Sequence, residues 1–259
     1  MAEVKAEKEG IGVTLLFIAS PLLLLALWEI GVRAEWLDHR FFPAPTTIVA
    51  EIVRLFAEDN LLIDILASLR RIGLGLLAGF PTGLAIGVAM GRWKWARAFF
   101  APLVAFTYPI PKIAILPLLL IIFGLGETSN VMVVVIGVFF LALINTYAGV
   151  RQIDHEYFDV ARVYGISRWQ VLRRIVLPAA FPDIFTGLKL AVGYGLILIV
   201  AAEMVAAESG LGYRIWTSWE TYVIKELYAC LMMISIIGVV LAVILEKIEG
   251  RLVHWKHTG

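Results

Sequence analysis

Few residues in this chain combine a reactive type with a setting that would let them do chemistry. Glu203 stands alone in an apolar run, Ala201-Ala202-Glu203-Met204-Val205. A carboxylate at membrane depth is costly and is often retained for function. Glu203 is therefore either a gate or path residue, or a hydrogen-bonded structural group near the outer end of its span. Glu29, in an earlier apolar run, reads as structural and close to an interface. Lys189 either snorkels to the membrane edge or draws an anionic solute. Lys112, in Tyr108-Pro109-Ile110-Pro111-Lys112, is either a solvated loop charge or an anion contact in a path. Phe106, Tyr108 and Tyr194 are candidates to line such a path, although aromatic residues in spans more often pack or face lipid. The histidines, His39, His155, His254 and His257, show no metal-ligand spacing. The single Cys230 excludes a disulfide framework and a cysteine-based zinc site. There is no Gly-x-x-x-x-Gly-Lys-Ser/Thr phosphate loop. No expected span holds a His or an Asp, which leaves an intramembrane enzyme without its catalytic groups.

The densest pattern lies in the polar stretch from Arg151 to Pro182. It reads Asp159-Val160-Ala161-Arg162-Val163-Tyr164-Gly165, then nine residues, then Ile175-Val176-Leu177-Pro178. His155 to Tyr164 forms one short helix, which Gly165 can end in a left-handed conformation. Ser167 caps a second helix from Arg168 to Val176. Leu177-Pro178 is expected to stop it and turn the chain toward the membrane. The apolar residues of this helix–turn–helix bracket have little of their own to pack against, and they suit a groove on a partner protein.

The elements that must position these residues are apolar helices. The 259-residue chain is 61% hydrophobic and 17% charged, with a mean hydropathy of +0.88. Soluble domains are nearer 45–50% and about 25%. Spans need roughly 20 apolar residues each. Six are expected, at about residues 11–32, 66–90, 96–108, 131–150, 184–207 and 227–245, within one transmembrane domain covering residues 1–259. Pro109, Pro111 and Pro117 break the chain after the third, and irregular backbone at that depth must be buried in protein or line a cavity. Thr46 or Thr47 caps a short amphipathic helix through Phe56. Lys5 and Lys8 before the first apolar run resemble a signal peptide, but the run is too long and is read as a retained helix. Gly75, Gly79, Gly83, Gly87 and Gly91 recur every four residues, on one helix face that lets another backbone approach. Pro81 is expected to bend that helix. With both termini inside, inside segments hold thirteen Lys and Arg against eight outside, a bias that favours this orientation. Its weak point is Arg70-Arg71, placed at an outer end. The net charge of +1 argues against nucleic acid as a partner.

The polar stretch resembles the EAA motif of binding-protein-dependent ABC importer permeases: Ala161, Gly165, Ile175, Leu177 and Pro178 match in register, with Asp159 in place of Glu and Val160 in place of Ala. Other segments are similar to the nitrate/sulfonate/taurine/bicarbonate branch. They include Phe42-Pro43-Ala44-Pro45, Ser68-Leu69-Arg70-Arg71, Phe123-Gly124-Leu125-Gly126-Glu127-Thr128-Ser129 and Gly210-Leu211-Gly212. The resemblance implies an all-α, six-span fold of the type I importer permease kind in a bacterial or archaeal cytoplasmic (inner) membrane, with both termini cytoplasmic. It implies a homodimer with the path at its interface, an extracytoplasmic binding protein, and a small, mostly anionic solute. It also implies two ATPase subunits that carry ATP and Mg, this chain binding no cofactor or metal and catalysing nothing. Asp159, Val160, Ala161, Tyr164, Gly165, Ile166, Ser167, Ile175, Leu177 and Pro178 would then couple to the ATPase. The alternative is an ion-gradient-driven secondary transporter, which should show repeated halves with paired broken helices; no such repeat is seen.

Overall fold

A computed structural model describes residues 11–252; Lys5, Lys8, His254, Lys256 and His257 lie outside the described residues. The helices run in the order α1 (Ile11–Arg33), α2 (Pro45–Glu58), α3 (Leu61–Arg92), α4 (Lys94–Thr107), α5 (Leu116–Phe123), α6 (Glu127–Arg151), α7 (His155–Val163), α8 (Arg168–Val171), α9 (Leu177–Ala206), α10 (Leu211–Glu220) and α11 (Ile224–Leu252). A 3₁₀ turn, Lys112–Ile115, leads into α5, and a π-helical turn, Leu172–Val176, joins α8 to α9. The described residues contain no strand.

α1 coincides with the first expected span. Among the described residues four stretches are long and apolar enough to cross a bilayer: α3, α6, the joined helix Arg168–Ala206, and α11. The third expected span is different. α4 has 14 residues, about 21 Å of rise against a core of about 30 Å. α4 and α5 qualify only together, bent by 87° at their break. Pro109 and Pro111 remove two amide donors at that bend.

Two more boundaries are corrected. α3 starts at Leu61 and carries Asp64, Arg70 and Arg71 inside it, and α9 carries Asp183, so two long helices do contain Asp. The bracket's second helix does not stop at Leu177-Pro178; it continues to Ala206. Pro178 has no N–H for the Arg174 carbonyl four residues back, and its ring would crowd that oxygen. The wider π turn relieves the clash, and the helix passes on.

α3, α6 and α9 form the centre. Ile72, Val134, Val138, Leu198 and Ile199 are among its buried side chains. The glycine stripe of α3 lies against α6. A Cβ at Gly79 would sit 2.5 Å from the Val135 carbonyl oxygen, and one at Gly87 2.7 Å from that of Leu143. Gly75 and Gly83 meet Val134 and Ala142 in the same way. Only glycine permits this approach, and in a membrane close packing replaces the missing hydrophobic drive. α3 runs through Pro81 without a break.

Candidate functional site: docking bracket, inner cavity and buried ion pairs

The bracket is built by local chemistry. α7 ends in a Schellman motif: the Ile166 N–H donates to the Ala161 carbonyl at 2.9 Å and the Gly165 N–H to that of Arg162 at 3.1 Å. Gly165 sits at φ +64°. The spacing of four from Ala161 to Gly165 is the spacing this cap requires. Ala161 is buried beside Val88, Val150 and Val171, so it must also be small. Ser167 then opens α8 with a capping box. Its Oγ accepts from the Gln170 N–H, and the Gln170 Oε1 accepts from the Ser167 N–H at 3.1 Å. The bracket does have packing of its own: Ala161, Val171 and Val176 are clamped against the ends of α3 and α6. Ile175 and Leu177 are half-buried. The opposite face is left open, with Val160, Val163, Tyr164, Ile166 and Trp169 exposed, Val163 at 84%. Asp159 is on this exposed segment, 3.6 Å from Arg162, and Pro178 is exposed at the start of α9.

Tyr108, Lys112 and Tyr194 are brought together. They line a cavity of about 670 Å³ with Gly137, Phe140 and Lys189. Lys112 is not a loop charge in water; it is 4% exposed. Its Nζ donates to the carbonyls of Thr107, Tyr108 and Ile110 at 2.9–3.0 Å and lies 4.1 Å from the Phe140 ring centre. An ammonium has three N–H bonds, and all three are spent on the bend between α4 and α5. Lys189 is paired with Glu249 at 2.6 Å. The cavity is thus aromatic and contains no uncommitted cation. Phe106 is 81% exposed and outside it.

Glu203 lies elsewhere, fully buried. It accepts from Arg71 at 2.7 Å, from the Ser68 hydroxyl at 2.8 Å and from the Gly212 N–H at 3.0 Å. Arg71 also reaches Glu127 at 2.6 Å and the Ser209 carbonyl. Beside it, Asp64 accepts from the Gly210 N–H and from Arg214, which also pairs with Glu226. This lattice ties α3, α6, α9, α10 and α11 together at one end. The sequence reading singled out Glu203 but missed Asp64, Arg71 and Arg214 as its setting. The signal available was three separate segments, Ser68–Arg71, Gly124–Ser129 and Ala201–Gly212, which here meet.

These features define a multi-pass helical membrane protein with a bent transmembrane pair beside a cavity and a rigid bracket outside the span. The chain belongs to the family described as binding-protein-dependent transport system inner membrane component, whose profile matches residues 79–254. It is 32% identical to the taurine transport system permease protein of Escherichia coli (strain K12), over 93% of this chain and 89% of that one. It is 29% identical to a putative aliphatic sulfonates transport permease of Bacillus subtilis (strain 168), over 92% and 86%. It is 30% identical to a nitrate import permease of Synechocystis, over 89% and 86%. Among solved structures, a bacterial ABC transporter involved in alginate import matches with a TM-score of 0.64 at 18% identity, over 94% of this chain and 93% of that one. The MetNI methionine ABC transporter, inward facing, matches with 0.60 at 16%, over 74% and 94%. At these identities the structural likeness establishes the fold, that of the type I importer permeases. The family and branch expected from the motifs are those found.

Proposed function

We propose that this chain is the permease subunit of an ABC importer for a small anion of the sulfonate, taurine or nitrate kind. The observation that carries the reading is the bracket: a doubly capped, rigid turn that buries one face on the spans and leaves an apolar face open. Such a face fits a groove on a partner. In this reading the partner is an ATPase subunit, which holds ATP and Mg and does the hydrolysis, while this chain is not a catalyst. Two copies of the chain would enclose the path, and a binding protein would deliver solute from outside. The membrane is the cytoplasmic membrane of a bacterium or archaeon, with the bracket and both termini inside.

The names of the taurine, sulfonate and nitrate relatives support the solute class. The cavity chemistry agrees with transit rather than tight capture: a conducting site must bind weakly enough to release, and Lys112 and Lys189 are both already partnered. The count of Lys and Arg, thirteen inside against eight outside, supports the orientation. At the end opposite the bracket, Arg33, Arg40, Arg54, Arg71, Arg214 and Lys225 are each paired with an acid.

The docking role is tested by co-purification. Gly165→Val forces a β-branched residue into the left-handed region, and Asp159→Lys reverses a charge on the exposed segment. Both are expected to release the ATPase while the permease stays membrane-inserted and monodisperse. Retention of the ATPase by the double variant would reject the docking surface. Uptake of labelled taurine, alkanesulfonates and nitrate by the reconstituted complex identifies the solute.

A further inference from the structure

Between the bracket and the ends of the spans lies a cavity of about 530 Å³. Arg92, Arg97, Arg151, Arg162 and Arg168 line it with His155, against the single carboxylate of Asp159. Of these five arginines, only Arg162 has an ion pair among the described residues, at 3.6 Å. The Arg97 Nε is buried with no hydrogen-bond partner, which is costly unless something accepts from it. Arg92 lies over the Phe158 ring at 4.8 Å, leaving the edges of its guanidinium free. Like charges gathered around a small volume repel one another, and an anion among them relieves that repulsion. The donors are guanidinium groups, whose planar forks match phosphate oxygens.

The cavity is also at the membrane boundary. Arg92 ends α3 and Arg151 ends α6, and the neighbouring Trp93 and Trp95 are exposed, as tryptophans at a lipid–water interface are. Basic pockets at such a level recognise lipid head groups. We propose that this cavity binds a phosphate group, that of an anionic phospholipid seated beside the bracket. The inference does not depend on ATPase docking, and Arg97 and Arg151 lie outside the exposed apolar face assigned to it.

The test uses the purified transporter complex, delipidated and titrated by native mass spectrometry. The probes are phosphatidylglycerol, phosphatidylcholine and inorganic phosphate. Phosphatidylglycerol is expected to bind saturably and phosphatidylcholine not to bind. Arg97→Gln/Arg151→Gln is expected to weaken phosphatidylglycerol binding about 25-fold, taking about fivefold for each arginine near an anionic lipid. Arg173→Gln/Arg174→Gln, which removes the same charge outside the cavity, is expected to leave it unchanged. Equal losses in both pairs would mean diffuse surface charge and overturn the site. Saturable inorganic phosphate that phosphatidylglycerol does not displace would overturn the lipid assignment. So would phosphatidylglycerol binding that appears only after the ATPase is stripped away, because an ATPase side chain would then be the occupant. A photoactivatable phosphatidylglycerol on the unaltered complex covers the case of a misfolded variant. Label within residues 91–97 and 150–168 is expected, and label confined to other segments would refute the proposal.

Discussion

Replacing Glu203 decides whether its charge serves the fold or the solute. The carboxylate is fully buried, with three donors from two other elements: Ser68 and Arg71 of α3, and the Gly212 N–H of α10. Glu203→Ala removes the acceptor for all of them and leaves Arg71, itself 2% exposed, with Glu127 as its one remaining charge partner beside the Ser209 carbonyl. Breaking one side of a buried ion pair costs about 3–5 kcal/mol. For a chain of this size each kcal/mol moves the midpoint by about 2–4 °C, so the melting temperature is expected to fall by roughly 10 °C. Tryptophan fluorescence of the purified complex in detergent, heated at a fixed rate, measures it. The double variant Arg71→Met/Glu203→Leu removes both charges and is expected to recover more than half of the loss, because no buried charge is left uncompensated. In whatever fraction folds, solute preference is expected to stay as it was. A Glu203→Ala complex that melts normally but changes which anions it imports would refute this reasoning and put Glu203 in the path.

Other outcomes follow from the same packing. Gly79→Ala brings a Cβ to 2.5 Å from the Val135 oxygen, where ordinary contact begins at 3.4 Å; the seam must open by about 0.9 Å, at a cost of about 1–3 kcal/mol. Gly73→Ala has nothing within 4 Å and should be neutral in the same melt. Lys112→Met strips three carbonyls of their donor and should destabilise by about 1–3 kcal/mol; a normal melt with an altered KM for the anion would instead make Lys112 a solute contact. Burial pushes the Glu51 carboxyl up, but hydrogen bonds from Arg54 and Lys225 outweigh it and hold the group below its usual value. That stabilisation is complete above the unfolded pKa of about 4.3 and is lost as pH falls through the lower folded value. Acid melting curves should therefore show a loss that Glu51→Gln reduces, with the lowered carboxyl of Asp38 carrying part of the rest.

The bracket was readable from the sequence because its determinants are local. A Schellman cap and a capping box are each written within six residues, and the glycine stripe repeats every turn of one helix. The ion-pair lattice was not readable, since Arg71 meets Glu203 across 132 positions and Glu127 across 56. No periodicity connects residues that far apart. Lys112 shows a different limit. Its alternatives, solvent or solute, both left out the backbone, yet three carbonyls freed by a Pro-rich bend need a donor. Pro178 misled for a related reason. A proline excludes the α-helical hydrogen bond, but it does not exclude a helix that widens for one turn.

That widened turn has a mechanical consequence. Arg168 to Ala206 is one rod of 39 residues, about 58 Å long, with no joint between the bracket and the far end. α6 grips it closely through its middle stretch, where Gly149 meets Asp183, Gly187 meets Asn145, and Gly137 meets Leu198. A rod held at its middle and pushed at its foot acts as a lever. A sideways shift of about 5 Å at Ser167 becomes a tilt of roughly 10° about that fulcrum, and the upper arm swings the opposite way. Tyr194, on the cavity wall, rides on the rod about 40 Å from its foot. Force applied outside the membrane would therefore arrive at the cavity as displacement, with no intervening hinge to absorb it.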